Sequence, residues 1–116
     1  MAEITQDAYQ DLRDYIQNSW QFIELQDDSG TAVLRLDPSD SRVTWTHTAG
    51  SQILQLQVVV KGSDTDITAP QTFAQSVIFN VASGGNPLST ETFTAFTIEQ
   101  DEDQLTVIHN IEVPQV

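Results

Sequence analysis

The sequence predicts a mainly β protein, an antiparallel seven-stranded β-sandwich (Ig-like or related) preceded by one amphipathic helix. Three observations carry that expectation. Apolar residues recur at helical spacing between Thr5 and Ser19. From Trp20 onward they alternate with polar ones, and turn-forming clusters interrupt the alternation roughly every 8–12 residues, the spacing of a sandwich or barrel. A chain of 116 residues is one domain's worth, expected to run 1–116 with the helix at about 5–19 and the β-domain at about 21–114.

In the first segment, helical spacing places Ala8, Leu12, Tyr15 and Ile16 on one stripe. Thr5 or Asp7 can cap its start, and Asp7 and Asp11 lie near the positive end of the helix dipole. Neither Gly nor Pro interrupts it.

The strands follow in order. Ile23 and Leu25 share one face of Phe22–Gln26, and Ala32, Leu34 and Leu36 share one face of the next run, across a hairpin loop Asp27-Asp28-Ser29-Gly30. Asp37-Pro38-Ser39-Asp40-Ser41 is turn chemistry, since Pro fixes φ and Asp and Ser bond nearby amides. Arg42–Thr48 alternates cleanly, and Ala49-Gly50-Ser51 turns it into Gln52–Lys61, with Leu54, Leu56, Val58 and Val60 on one face. After a loop at Gly62–Pro70, Thr72–Val81 offers Phe73, Val77, Phe79 and Val81 as inward residues. Ala82–Thr90 must be a loop, and Phe93–Gln100 with Leu105–Val113 reads as a final hairpin. Leu105, Val107, His109, Ile111 and Val113 share one face of its second strand.

Composition removes several functions. Four Lys and Arg against seventeen Asp and Glu leave a formal charge of −13. Direct binding to nucleic acid or to an anionic membrane needs cations that release phosphate counterions, so neither is expected. No apolar run approaches the ~20 residues that cross a bilayer, so membrane insertion is not expected either. The opening MAEITQDAYQ has neither the basic start nor the apolar stretch of a secretory signal. Without Cys there can be no disulfide, thiolate metal site or thiol catalysis.

Candidate chemistry is sparse. His47 and His109 alternate in phase with apolar neighbours, so each reads as a partly buried, hydrogen-bonded spacer rather than a base or ligand. Ser83-Gly84-Gly85 lacks both the spacing of a nucleophile elbow and the Lys of a phosphate loop. No nucleophile, base and orienting group form a set, so no enzyme and no cofactor are expected. Acidic clusters fall on the turns, at Asp27-Asp28, Asp37 with Asp40, Asp64 with Asp66, and Asp101-Glu102-Asp103. Calcium wants six to eight oxygens, and Asp64 and Asp66 are the least badly spaced pair for it. Asp is also a common turn former, which is the simpler account. Trp45 alternates with buried residues and reads as core, while Trp20 staples helix to sheet. Ile53, Val59 and Ile108 lie on the faces opposite the core and need cover from the helix or a neighbouring subunit.

From Phe22 onward the chain resembles small structural proteins of phages and prophages of Gram-positive bacteria. The stretches that carry the likeness are Leu34–Trp45, Val81–Ser89 and Leu105–Gln115. The resemblance is one of style, without a diagnostic motif, and no functional residue is carried over. It implies a virion or tail component made in the bacterial cytoplasm, assembling with itself or with other virion proteins through surfaces rather than chemistry. Two other classes fit the composition: an acidic mimic of nucleic acid that blocks a basic protein, and a calcium- or carbohydrate-binding adhesion module.

Overall fold

A computed structural model describes residues 2–48 and 50–113. The helix α1 (Gln6–Ser19) starts at Thr5, whose hydroxyl accepts from the Ala8 amide at 3.2 Å, and it ends where the Trp20 amide donates to the Ile16 carbonyl. Seven strands follow: β1 (Phe22–Gln26), β2 (Ala32–Leu36), β3 (Val43–Thr46), β4 (Ile53–Lys61), β5 (Gln71–Phe79), β6 (Ser89–Ile98) and β7 (Gln104–Glu112). They form two packed sheets, β2-β1-β5-β6 and β3-β4-β7, and every paired neighbour is antiparallel.

Alternation dictates which residues meet between the sheets. Ile23 and Leu25 of β1, Leu54, Leu56, Val58 and Val60 of β4, and Val107 of β7 are all buried there. Val43 and Trp45 pair with Val58 and Leu56 and pack against the same core. The molecule measures 53 × 25 × 25 Å. The helix reaches the β-domain at the end where β3 leaves and β7 finishes, with Gln10 at His47 and Gly50 and Arg13 at the Val113 carbonyl.

Four expectations need correction. The final hairpin is not one: β6 pairs with β5 and β7 with β4, so the turn at 99–103 carries the chain from one sheet to the other. Asp103 organises that turn by accepting from the Glu99 and Gln100 amides at 2.8 and 3.1 Å. Ser89 and Thr90 belong to β6 rather than to the loop before it.

In β5 the inward set is Phe73, Ser76 and Ile78, because the register shifts between Phe73 and Gln75 and reverses the alternation. Val77 and Phe79 are buried on the opposite face, and Val81 is exposed. On the helix, Ile16 is buried but Leu12 and Tyr15 are 44% and 62% exposed. The face turned to the β-domain is instead that of Arg13, Ile16 and Trp20.

Candidate functional site

Three polar centres and one surface bear the chain's functional possibilities. The first centre is His109, fully buried, whose Nδ1 lies 2.7 Å from Ser76 Oγ and whose Nε2 lies 2.8 Å from Ser89 Oγ. Alternation along β7 turns the ring inward, and the two hydroxyls come from β5 and β6 of the other sheet. A neutral imidazole has one N–H and one lone pair, so one hydroxyl accepts and the other donates, and both ring nitrogens are satisfied.

Serine beside histidine is part of an acyl-transfer set, so its chemistry has to be weighed. Burial pushes His109 down to about 4, so the ring is neutral near pH 7. Taking the Ser89 proton would create an imidazolium where burial opposes it. The position that a carboxylate holds in a Ser–His–Asp triad is held here by the uncharged Ser76. The arrangement serves as a polar tie between the sheets. Sequence reasoning placed His109 on the core side but had no signal that Ser76 and Ser89 would meet it from strands of the other sheet.

The second centre gathers the predicted acidic pair. Asp64 and Asp66 come together, and with them Asp40, around the guanidinium of Arg42 at 2.8 to 3.2 Å. Arg42 supplies the positive charge these carboxylates need, and its hydrogen bonds hold Asp40 and Asp66 below the ordinary carboxylate range. Among the described residues no group of three or more His, Cys, Asp or Glu side chains is placed to hold a metal ion. The other acidic turns cap themselves: Asp27 accepts from the Ser29 and Thr31 amides, and Asp37 from the Ser39 amide.

The third centre is Arg35, which donates to Glu24 Oε1 and to the carbonyls of Val81 and Gly84, and stacks 3.6 Å from the Phe79 ring centroid. It fastens the loop after β5 over Phe79 on the outer face of the first sheet, where Val77 and Phe79 are both buried. His47 stands apart from His109, beneath the helix and 3.5 Å from the Gln10 amide nitrogen.

The surface is the outer face of the β3–β4–β7 sheet. Ile53, Val59 and Ile108 all emerge on it, through the pairings Ile53 with Glu112, Val59 with Thr106 and Ile108 with Gln57. Val59 and Ile108 are diagonal neighbours, whereas Ile53 lies at the far end. Gln55, Gln57, Gln104, Thr106 and Asn110 fill the rest of these two strands; Glu112 stands at one end, and Lys61 at the other beside Arg42 and Asp64.

The class that fold and site define is a mainly β protein of two packed antiparallel sheets with an N-terminal helix. Comparison with protein-family models, with curated proteins and with solved structures finds no match. Among the described residues no helix is long and apolar enough to cross a membrane.

Proposed function

We propose that this chain is a non-enzymatic structural or assembly module, a virion or tail component of a phage or prophage of Gram-positive bacteria, acting through protein–protein surfaces with copies of itself or with other virion proteins. We read its fold as a β-sandwich related to the Ig type. An Ig constant-type order would put the fourth strand in the first sheet and the sixth in the second, and here those two are exchanged.

One observation carries the functional reading. On a chain of formal charge −13, the middle of the β3–β4–β7 outer face presents Gln, Thr, Asn, Val and Ile side chains, with charges confined to its two ends, while the chemistry-bearing groups are spent on the fold. Arg13, Arg35 and Arg42 each bind several segments together, and His109 ties the sheets.

A second observation favours the nucleic-acid mimic as rival. Only Glu24, Asp40, Asp64 and Asp66 of the seventeen carboxylates form ion pairs among the described residues.

Sedimentation at rising concentration, in low and in high salt, separates the two. Salt screens repulsion between like-charged copies, so an assembly module grows in mass above 12.9 kDa and does so more in high salt. A mass that stays at one chain throughout overturns the assembly reading, and capture of a basic protein that is lost steeply with salt would establish the rival.

A further inference from the structure

We propose that the open edge of β7 is a self-association site, where two copies of this chain pair β7 with β7 antiparallel about a two-fold axis and continue the β3–β4–β7 sheet from one copy into the other. This rests on the assembly reading and names its contact and its partner. All nine residues of β7 pair with β4, and among the described residues no backbone hydrogen bond joins the other edge of β7 to a neighbouring strand. Every second residue of the strand therefore aims an N–H and a C=O at solvent, and another extended chain is what satisfies such a row.

The side chains of β7 suit a copy of themselves. Ile108 is the fifth of its nine residues. With the axis at Ile108, Gln104 stands opposite the partner's Glu112, Leu105 opposite the partner's Ile111, Thr106 opposite the partner's Asn110 and Val107 opposite the partner's His109. Inner residues meet inner ones and outer residues meet outer ones. No carboxylate faces a carboxylate across the pair, because Gln104 offers its amide to Glu112, and the contact is made twice. A groove runs along the same edge, a space of about 480 Å³ lined by residues 93–96 of β6 and 105–108 of β7. Consecutive residues of a strand face alternate sides, so a space that touches all four lies along the edge. Phe96 and Ile108 are 37% and 38% exposed there. With Ile108 on the axis the grooves of the two copies adjoin, and each copy closes the other's.

The remaining edges are guarded. Edge strands β2 and β3 have five and four residues. Edge strand β6 is irregular opposite Phe73 and Gln75 and turns the half-buried Glu91 to the Ser76 side. Short edges, bulges and inward charges are the devices that block edge pairing. By contrast β7 keeps an unbroken register with β4, and its one charge, Glu112, is at its end. A single unguarded edge, paired with itself, closes a dimer and does not propagate a fibre. The paired edges measure roughly 30 Å by 10 Å from strand rise and sheet spacing, less than half of a standard interface per partner, so the dimer is weak. The same register brings the acidic turn Asp101-Glu102-Asp103 of each copy beside the partner's Glu112, so salt tightens the dimer by screening that repulsion.

Cysteine placement tests the pairing, because the native chain has no Cys, and thermal melting shows that each variant folds. Ile108→Cys puts two thiols on the axis, where opposed Cα atoms stand about 4.5–5.5 Å apart, within disulfide reach. At concentrations where the native chain associates, mild oxidation is expected to convert most of this variant to a covalent dimer. Gln57→Cys lies one strand away with its copy roughly 14 Å off, and it should stay a single chain. Thr106→Cys and Asn110→Cys should cross-link when mixed and neither alone. In sedimentation equilibrium Ile108→Lys sets two ammonium groups against each other and is expected to weaken dimerisation about tenfold or more. That variant lowers the net negative charge, so it would tighten any association governed by overall repulsion. Native association with no cross-link at Ile108→Cys, cross-linking as strong at Gln57→Cys or at Thr106→Cys alone, or association unchanged by Ile108→Lys overturns this pairing and leaves the assembly reading standing. A native chain that never associates takes both down together.

Discussion

Arg42 and Asp66 meet fork to fork, Nη1 donating to Oδ1 and Nη2 to Oδ2, both at 2.8 Å. The same guanidinium holds Asp40 through Nε and Nη2 at 2.9 Å. One cation thereby joins the turn before β3 to the loop between β4 and β5.

Loss of that cation should be costly near neutral pH. Asp40 and Asp66 have folded values below the ordinary 3.8, chiefly through their hydrogen bonds with Arg42. Their stabilisation is present above 3.8 and disappears as pH falls through the lower folded values. Half of Asp66 faces solvent, which screens its share, so Arg42→Gln is expected to cost about 2 kcal/mol near pH 7. Urea unfolding should show the deficit shrinking toward zero in strong acid. Because the carboxylates already face a guanidinium, millimolar calcium should move the native melting temperature by less than about 1 °C. A larger rise would show that metal displaces Arg42.

His109 gives a second, separable pH dependence. Its folded value is about 4 against the usual 6.5, because burial disfavours the imidazolium. The folded state therefore binds fewer protons than the unfolded one between those values. Stability is complete above 6.5 and falls as pH drops toward 4, by about 3 kcal/mol at most. His109→Gln cannot titrate there. The difference in unfolding free energy between native chain and variant should narrow from pH 7 to pH 4, and a constant difference would show that the ring is not held neutral.

These features were unequally legible in the sequence. The alternation of Leu54, Leu56, Val58 and Val60 fixes β4, because one of its faces is buried and the other bears Gln55 and Gln57. Phe73–Phe79 defeats the same reasoning. Its register breaks at Gln75, and Phe79 is covered by Arg35 from β2, a contact that no local period can reveal. Phe93–Val113 reads as a hairpin because a turn that changes sheets uses the same residues as one that stays within a sheet. For the Arg42 cluster the one local clue is Asp40, two residues away, because Asp64 and Asp66 reach the guanidinium across 22 and 24 residues of chain.

Arg35 should prove irreplaceable by lysine. A lysine carries one ammonium on a flexible stem and cannot serve Glu24 and two carbonyls while stacking on Phe79. Arg35→Lys is expected to destabilise by roughly 2–4 kcal/mol, because Glu24 is buried and keeps an imperfect partner. Amide exchange in 80–88 should accelerate in the same variant. Adding Glu24→Gln should recover part of the loss, and full independence of the two changes would contradict the coupling.

Gly62 is required for close approach rather than for an unusual φ. A Cβ there would stand 1.9 Å from the Gln100 carbonyl oxygen, in the turn whose Asp103 carbonyl accepts the Gly62 amide. Backbone must move to admit it, so Gly62→Ala should cost about 3 kcal/mol. At Gly50 (φ +86) a Cβ meets nothing within 4 Å, and Gly50→Ala should cost only the left-handed penalty of about 1 kcal/mol. Comparable losses at the two positions would place the strain elsewhere.

The helix carries two overlapping apolar stripes, and only one of them is used by the β-domain. Ile16 packs into the core, Trp20 packs against it, and one turn earlier Arg13 donates to the Val113 carbonyl. Leu12 and Tyr15 are exposed on the other stripe. Ile16→Ala should therefore cost about 2–3 kcal/mol, while Leu12→Gln and Tyr15→Gln should each stay within about 0.5 kcal/mol. The order is the reverse of what side-chain size alone would give for Tyr15. If Leu12→Gln proved as damaging as Ile16→Ala, the helix would have to be seated on its other stripe, and the Arg13 contact could not form.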